Sequence, residues 1–186
     1  MLKDFISTWT IPEHICDEII NFYNKNAELH FRGVSNYGSE STNAKVSTDL
    51  MIDSCNKDRP FGEYHQALQK CLDIYIEEYP DVNNLYRFGI IEPINIQHYK
   101  KGEGFKALHC ERHGHFNSSL KRCLVFMTYL NDLDAGGTIF KHQNRTIKAQ
   151  KGKTVIWPSD WTHTHVGQIS QTQEKTIITG WYSYLW

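Results

Sequence analysis

The sequence predicts an α+β, mainly β protein in which two amphipathic helices precede a jelly roll or small barrel. Three observations predict it. Apolar residues recur at helical spacing in two stretches before residue 80, and the period changes to alternation after about residue 84. Roughly eight short runs of β-branched and aromatic residues then follow, punctuated by Gly, Asn and Asp. That many short strands in about 100 residues suits a closed all-β architecture, which hides strand edges.

The elements follow in chain order. Thr10 and Pro12 precede EHICDEIINFYNKNAE, where Ile15, Ile19, Ile20 and Phe22 or Tyr23 lie at helical spacing behind an acidic first turn. Residues 30–60 mix Gly, Ser, Asn and Asp with few periodic apolar positions, so loops and one short strand are expected. From Gly62, the segment EYHQALQKCLDIYIEEYP repeats apolar residues at Ala67, Leu68, Cys71, Leu72, Tyr75 and Ile76 until Pro80 ends the pattern. The expected strands are Phe88–Ile91, Ile94–Lys100, Ala107–Cys110, Leu124–Leu130, Thr138–Phe140, Arg145–Ile147, Thr154–Trp157, His163–Val166 and Lys175–Tyr184. Gly136 and Gly137 mark a turn or bulge.

A chain of 186 residues with 40% hydrophobic and 22% charged residues has an ordinary globular profile. It suits one domain, with residues 1–92 as helical and loop support and residues 93–186 as the core. The formal net charge of -1 supplies no overall positive field to draw the protein onto nucleic acid or an anionic membrane. No stretch approaches the roughly 20 apolar residues of a membrane span. Asp4 and Pro12 interrupt the N-terminus before a signal-peptide core could build. Five irregularly spaced cysteines read as reduced thiols, so a cytoplasmic protein is expected.

The densest polar cluster is GFKALHCERHGH. In an extended segment residues two apart share a face, so His109 and Glu111 aim together and Cys110 points away. A third metal ligand must come from elsewhere, and WPSDWTHTHVG offers His163 and His165. Two imidazoles and one carboxylate on one side of a metal leave the opposite side open, an arrangement used by non-haem iron(II) oxygenases. A zinc set of His109, Cys110, His113 and His115 has the right ligand chemistry. It lacks a CxxC partner, and adjacent residues cannot easily reach one ion.

From about Tyr99 onward the chain resembles the prolyl 4-hydroxylase-like branch of the iron(II)/2-oxoglutarate-dependent oxygenase superfamily. The resemblance rests on YKKGEGFKALHCE, RCLVFMTYLND, AGGTIF, KGKTVIWPS, HVG and EKTIITGWY, in that order. It implies a double-stranded β-helix, the jelly roll of that family, with the N-terminal helices packed against one sheet. It also implies that His109, Glu111 and His165 bind Fe(II) and carry catalysis, His165 lying in the His-x-Gly context ten residues before a basic position. Lys175 at that position would pair with the distal carboxylate of 2-oxoglutarate, and Tyr129 would donate a second hydrogen bond to it. Tyr99 matches a tyrosine near the metal-side end of the cosubstrate, and Trp181 an aromatic lining the pocket.

The implied activity is a dioxygenase that consumes O2 and 2-oxoglutarate, with ascorbate in support, and hydroxylates a C–H bond. One departure stands out: the family's usual carboxylate is Asp, and Glu111 adds a methylene to the reach. The prime substrate is left open between a peptidyl proline, which relatives suggest, and other side chains or small molecules. Residues 30–60 and 112–120 are the expected substrate-facing loops. The alternatives are a cupin-type metal-binding module built on His163 and His165, and a catalytically inactive binding protein of the same barrel fold.

Overall fold

The computed structural model describes residues 3–33, 44–113 and 117–186. The edge strand β1 (Ser7–Thr10) leads into α1 (Glu13–Lys25), whose charged ends complement the helix dipole. This helix buries Ile15, Ile19 and Tyr23 of the predicted stripe, together with Cys16, and leaves Ile20 half-buried. Next come β2 (Phe31–Arg32), β3 (Lys45–Val46), β4 (Thr48–Ile52) and α2 (Phe61–Glu78). Phe61, Tyr64, Leu68, Cys71, Leu72 and Tyr75 form one buried stripe of α2, and Pro80 follows its end.

The second half is built of β5 (Phe88–Gly89), β6 (Ile94–Tyr99), β7 (Gly104–Phe105), the single turn α3 (Asn117–Leu120) and β8 (Arg122–Tyr129). It continues through β9 (Thr138–Phe140), β10 (Arg145–Ile147), β11 (Lys153–Pro158), β12 (His165–Gly167) and β13 (Lys175–Tyr184). The major sheet has the order β1-β11-β8-β13-β6-β4-β2, with β5 also on β13; a minor sheet has the order β10-β9-β12. All these pairs are antiparallel. The result is the jelly roll that the strand pattern predicts, in the double-stranded β-helix form that the resemblance implies.

Strand alternation divides the major sheet into two faces. Ile178 and Tyr182 of β13, Leu124 and Phe126 of β8 and Ile94 and Ile96 of β6 pack under α1 and α2. Their neighbours in the alternation, among them Ile177, Val125, Met127, Tyr129 and Tyr99, form a second cluster toward the minor sheet. The helices are tied down by polar contacts as well: Tyr64 Oη lies 3.1 Å from Thr128 Oγ1, which lies 2.7 Å from Thr154 Oγ1. Every group in that buried chain has a partner, so burial leaves no orphaned hydroxyl.

Several strands differ from expectation. Residues 30–60 hold not one short strand but β2, β3 and the five-residue β4, which pairs with β6 inside the major sheet. Ala107–Cys110 contributes only an isolated bridge between His109 and His165. His163 belongs to a 3-10 turn (Trp161–His163), so the strand there begins at His165. At the AGG turn, Gly136 has φ 141, and a Cβ on Gly137 would lie 2.1 Å from the Ile147 carbonyl oxygen.

Candidate active site

A cavity of about 360 Å³ opens between the two sheets, lined from β4, β6, β8, β12, β13 and the His109 segment. Among the described residues, His109, Glu111 and His165 are the His, Cys, Asp or Glu side chains that form a metal-binding group, with ligand atoms all within 4.8 Å of one another. Glu111 Oε1 lies 3.2 Å from His109 Nε2 and 3.5 Å from His165 Nε2. The backbone holds the two imidazoles together, because His109 and His165 exchange N–H···O=C bonds of 3.0 and 2.8 Å.

The ring tautomers follow from the partners. His109 Nδ1 donates to the Ala107 carbonyl and His165 Nδ1 to the His163 carbonyl, each at 2.9 Å. A carbonyl oxygen only accepts, so each Nδ1 carries the proton and each Nε2 turns its lone pair to the cavity. Burial pushes the His165 pKa down, keeping that ring neutral. Burial works against an ionised Glu111, but with a proton on the facing Nε2 atoms the hydrogen bonds and charge of His109 and His165 outweigh it and hold the carboxyl well below the usual range; with the rings neutral that support is gone. Two imidazole lone pairs and a carboxylate therefore converge on one point, and a divalent cation resolves that accumulation of negative density. The donor set fits iron(II).

Lys175 opens β13 on the same face, where it is 6% exposed. Its Nζ donates to the Gln168 carbonyl at 3.3 Å and lies 4.8 Å from the Tyr99 ring centroid. Among the described residues no carboxylate pairs with it, and burial alone pushes its pKa down to about 8. Gly167 leaves room beside it, since a Cβ there would sit 3.3 Å from Nζ. A buried ammonium with no anion of the protein's own, next to a space that glycine keeps clear, is a cradle for a ligand carboxylate. Tyr129 lines the same cavity, with Oη 2.6 Å from Thr138 Oγ1. Tyr99 donates to Gln97 Oε1 at 2.6 Å, and its ring backs Lys175. Burial raises both phenol pKa values, so both remain proton donors.

A family model for the 2OG-Fe(II) oxygenase superfamily matches residues 94–183, the stretch that holds every one of these groups. Over this segment, just under half of the chain, the sequence is similar to the 2OG-Fe(II) oxygenase superfamily. Solved structures share the fold. A viral collagen prolyl hydroxylase of Paramecium Bursaria Chlorella virus-1, in complex with 2OG, superposes with a TM-score of 0.70 at 18% identity, covering 97% of each chain. A Pseudomonas putida prolyl-4-hydroxylase gives 0.70 at 16% identity, over 98% of this chain and 94% of that one. A Trichoplax adhaerens prolyl hydroxylase in complex with a hypoxia inducible factor peptide gives 0.72 at 16% identity, over 98% and 84%. Among curated protein sequences none matches the chain.

Among the described residues, His163 and His98 lie away from this centre. His163 Nε2 turns to the Asp4 carbonyl at 2.9 Å and Nδ1 to Thr162, away from the cavity. That removes the His-x-His pair on which the cupin alternative rests. His98 lies on the opposite face of β6, 3.0 Å from Thr176 Oγ1. The zinc set does not assemble among the described residues, and its His115 lies outside them, as do residues 34–43 and 114–116 of the expected substrate loops.

Two groups of residues escape the sequence reading. Arg122 binds both oxygens of Glu92 through Nε and Nη2, at 2.9 and 2.6 Å, and lies over the Trp181 ring at 3.4 Å. Trp181 is more than a pocket wall: its Nε1 donates to Glu111 Oε2 at 2.9 Å. Farther along the cavity Asp49 accepts from Lys45 at 2.5 Å, Ser47 at 2.6 Å and Asn95 at 2.9 Å. Period-two spacing of Ser47 and Asp49 was the signal available for this cluster, but a charged strand in a Ser- and Asn-rich stretch reads as loop.

Proposed function

We propose that the chain is an Fe(II)- and 2-oxoglutarate-dependent hydroxylase whose prime substrate is a peptidyl proline. The observation that carries this reading is the pairing, in one cavity, of a two-histidine, one-carboxylate group with a buried lysine that has no anionic partner among the described residues. In this reading His109, Glu111 and His165 hold iron from one side. The Lys175 ammonium receives the distal carboxylate of 2-oxoglutarate and Tyr129 Oη donates to it, while Tyr99 flanks the cosubstrate.

When bound, iron(II), 2-oxoglutarate and dioxygen supply the oxidation, in which the cosubstrate leaves as succinate and CO2 and one oxygen atom enters a C–H bond. The chain's own residues set the conditions. The backbone bridge between His109 and His165 fixes the spacing of two ligands before any ion arrives, and the Nδ1 bonds fix their tautomers. Met127, Trp157 and Ile177 line the cavity and keep water from the cosubstrate. Lys175 and Tyr129 then make charge-assisted bonds in a low dielectric, where they are strongest.

The substrate class draws support from the cavity lining, where the exposed Phe31, Met51 and Pro93 border a space that also holds the buried Asp49 cluster and Glu92. An apolar border over a polar interior suits an extended peptide with a small apolar ring. The structural neighbours named for collagen and for a hypoxia inducible factor peptide point the same way. We place the whole chain in one domain with residues 1–92 as support. No helix among the described residues is long and apolar enough to cross a membrane. The five unbridged cysteines suit a reducing, cytoplasmic compartment.

The test is incubation of the full chain with Fe(II), 2-oxoglutarate, ascorbate and a panel of proline-containing peptides with proline-free controls, read by mass spectrometry. A gain of one oxygen atom confined to prolyl residues is expected. Iron-dependent succinate formation with no prolyl gain anywhere in the panel would move the substrate to another side chain or a small molecule.

A further inference from the structure

Glu111 is one methylene longer than the Asp its segment leads one to expect, and that methylene adds a rotatable bond next to the metal. A glutamate free to turn could bring both oxygens to the ion and fill a position that cosubstrate and dioxygen need, or swing away from it altogether. The structure instead divides the two oxygens between different partners. Oε1 faces the histidine Nε2 atoms at 3.2 and 3.5 Å, and Oε2 accepts from Trp181 Nε1 at 2.9 Å, with Arg122 Nη1 farther off at 3.7 Å.

An indole N–H only donates, so Trp181 can hold an oxygen of Glu111 but cannot compete with it for the metal. The ring is itself held. Arg122 stacks on it at 3.4 Å, and the same guanidinium donates to the Glu111 backbone carbonyl at 3.1 Å. Glu92 anchors that guanidinium through two bonds, and Ser183 Oγ donates to Glu92 at 3.3 Å. Both ends of Glu111, backbone and carboxylate, thus rest on one assembly from β8, β13 and residue 92.

We infer that Trp181 is a positioning residue for the metal carboxylate: its indole N–H captures Oε2, so that Glu111 offers Oε1 alone to the ion, and Arg122 and Glu92 lock the indole in place. The inference rests on the iron reading above and concerns how the ligand is presented, not whether the enzyme turns over.

The test is titration of the metal-free full chain with Co(II), read by visible absorbance, on the parent, Trp181→Phe, Glu111→Asp and the double variant. Trp181→Phe keeps a ring for Arg122 and removes only the donor. It is expected to weaken Co(II) binding by about tenfold or more, in the range of supporting partners at metal sites. Its Co(II) absorption should also lose intensity as the released second oxygen raises the coordination number. In the Glu111→Asp background the shorter carboxylate cannot span indole and ion, so adding Trp181→Phe should change affinity by less than about threefold.

Trp181→Phe binding Co(II) within about twofold of the parent, or losing the same factor in both backgrounds, overturns the inference. Should Trp181→Phe fail to fold, Glu92→Gln loosens Arg122 from outside the metal group. A smaller loss of affinity with the same dependence on Glu111 is then expected, and unchanged affinity overturns the inference. Failure of the parent to take up Co(II) overturns the iron reading and this inference with it, whereas uptake by the parent with an unchanged variant overturns this inference alone.

Discussion

His109 and His165 bind each other through their backbones, N–H to O=C in both directions at 3.0 and 2.8 Å, although they lie 56 positions apart in the chain. The bridge extends the minor sheet by one residue, at the position where a ligand is needed. The metal group is therefore a consequence of sheet pairing, and side chains on either side of it inherit its precision.

Removing one imidazole should abolish metal uptake without unfolding the protein. His165 also packs against Phe140 and Trp157, at centroid distances of 5.5 and 5.2 Å, so His165→Ala leaves a gap. A fall in stability of about 1–3 kcal/mol is expected in thermal melts, together with at least a hundredfold loss of Co(II) affinity. Retained affinity would remove His165 from the ligand set.

Lys175 should matter for cosubstrate and hardly at all for metal. In Lys175→Met the charge-assisted bond to 2-oxoglutarate is lost, worth about 2–3 kcal/mol or on the order of a hundredfold in affinity. Metal affinity should stay within about twofold. Calorimetric titration of the Mn(II)-loaded variant with 2-oxoglutarate reads both.

Cosubstrate binding should depend on pH through the same residue. Burial holds the Lys175 pKa at about 8, below the 10.5 of a free lysine. The ammonium is fully present below about pH 8 and is lost in the empty site as pH rises through it, so 2-oxoglutarate affinity should fall in that window. Binding above it takes up a proton, which titrations in buffers of different ionisation enthalpy detect. Constant affinity between about pH 7 and about pH 9 would contradict the assignment.

The glycine turn ahead of β9 should resist change. At Gly137 a Cβ meets the Ile147 carbonyl oxygen at 2.1 Å, a backbone atom that cannot step aside. Gly137→Ala should cost more than about 2 kcal/mol and shift β9 against β10, seen as a lowered melting temperature. Wild-type stability in this variant would mean that the turn adjusts freely.

The sequence carried the fold wherever apolar alternation was uninterrupted. β13, β9 and β10 lie at the expected residues, and both helices start and stop within a residue or two of their periodic stretches. β4 was missed because its pocket face carries Asp49, a residue that strands usually avoid and that is tolerated here by Lys45, Ser47 and Asn95. β1 was missed because four residues, two of them threonine, carry too little pattern to register.

At the site, period-two logic placed His109 and Glu111 on one side even though residue 111 lies in a bend rather than a strand. It could not choose between His163 and His165, since the 3-10 turn that diverts His163 has no periodic signature. The assembly of Glu92, Arg122 and Trp181 was invisible for a different reason. Its members come from β8, β13 and the turn before β6; the pairing of β8 with β13 sets Arg122 opposite Ser183, and Glu92 bonds to both.

The most direct measurement of the central claim is succinate formed from 2-oxoglutarate by the purified chain, with and without Fe(II), beside His165→Ala and Lys175→Met. The account predicts iron-dependent succinate from the parent, none above background from His165→Ala, and recovery of Lys175→Met only at greatly raised 2-oxoglutarate. A parent that binds Fe(II) and 2-oxoglutarate yet forms no succinate with any substrate would contradict it, leaving a binding protein on an oxygenase fold.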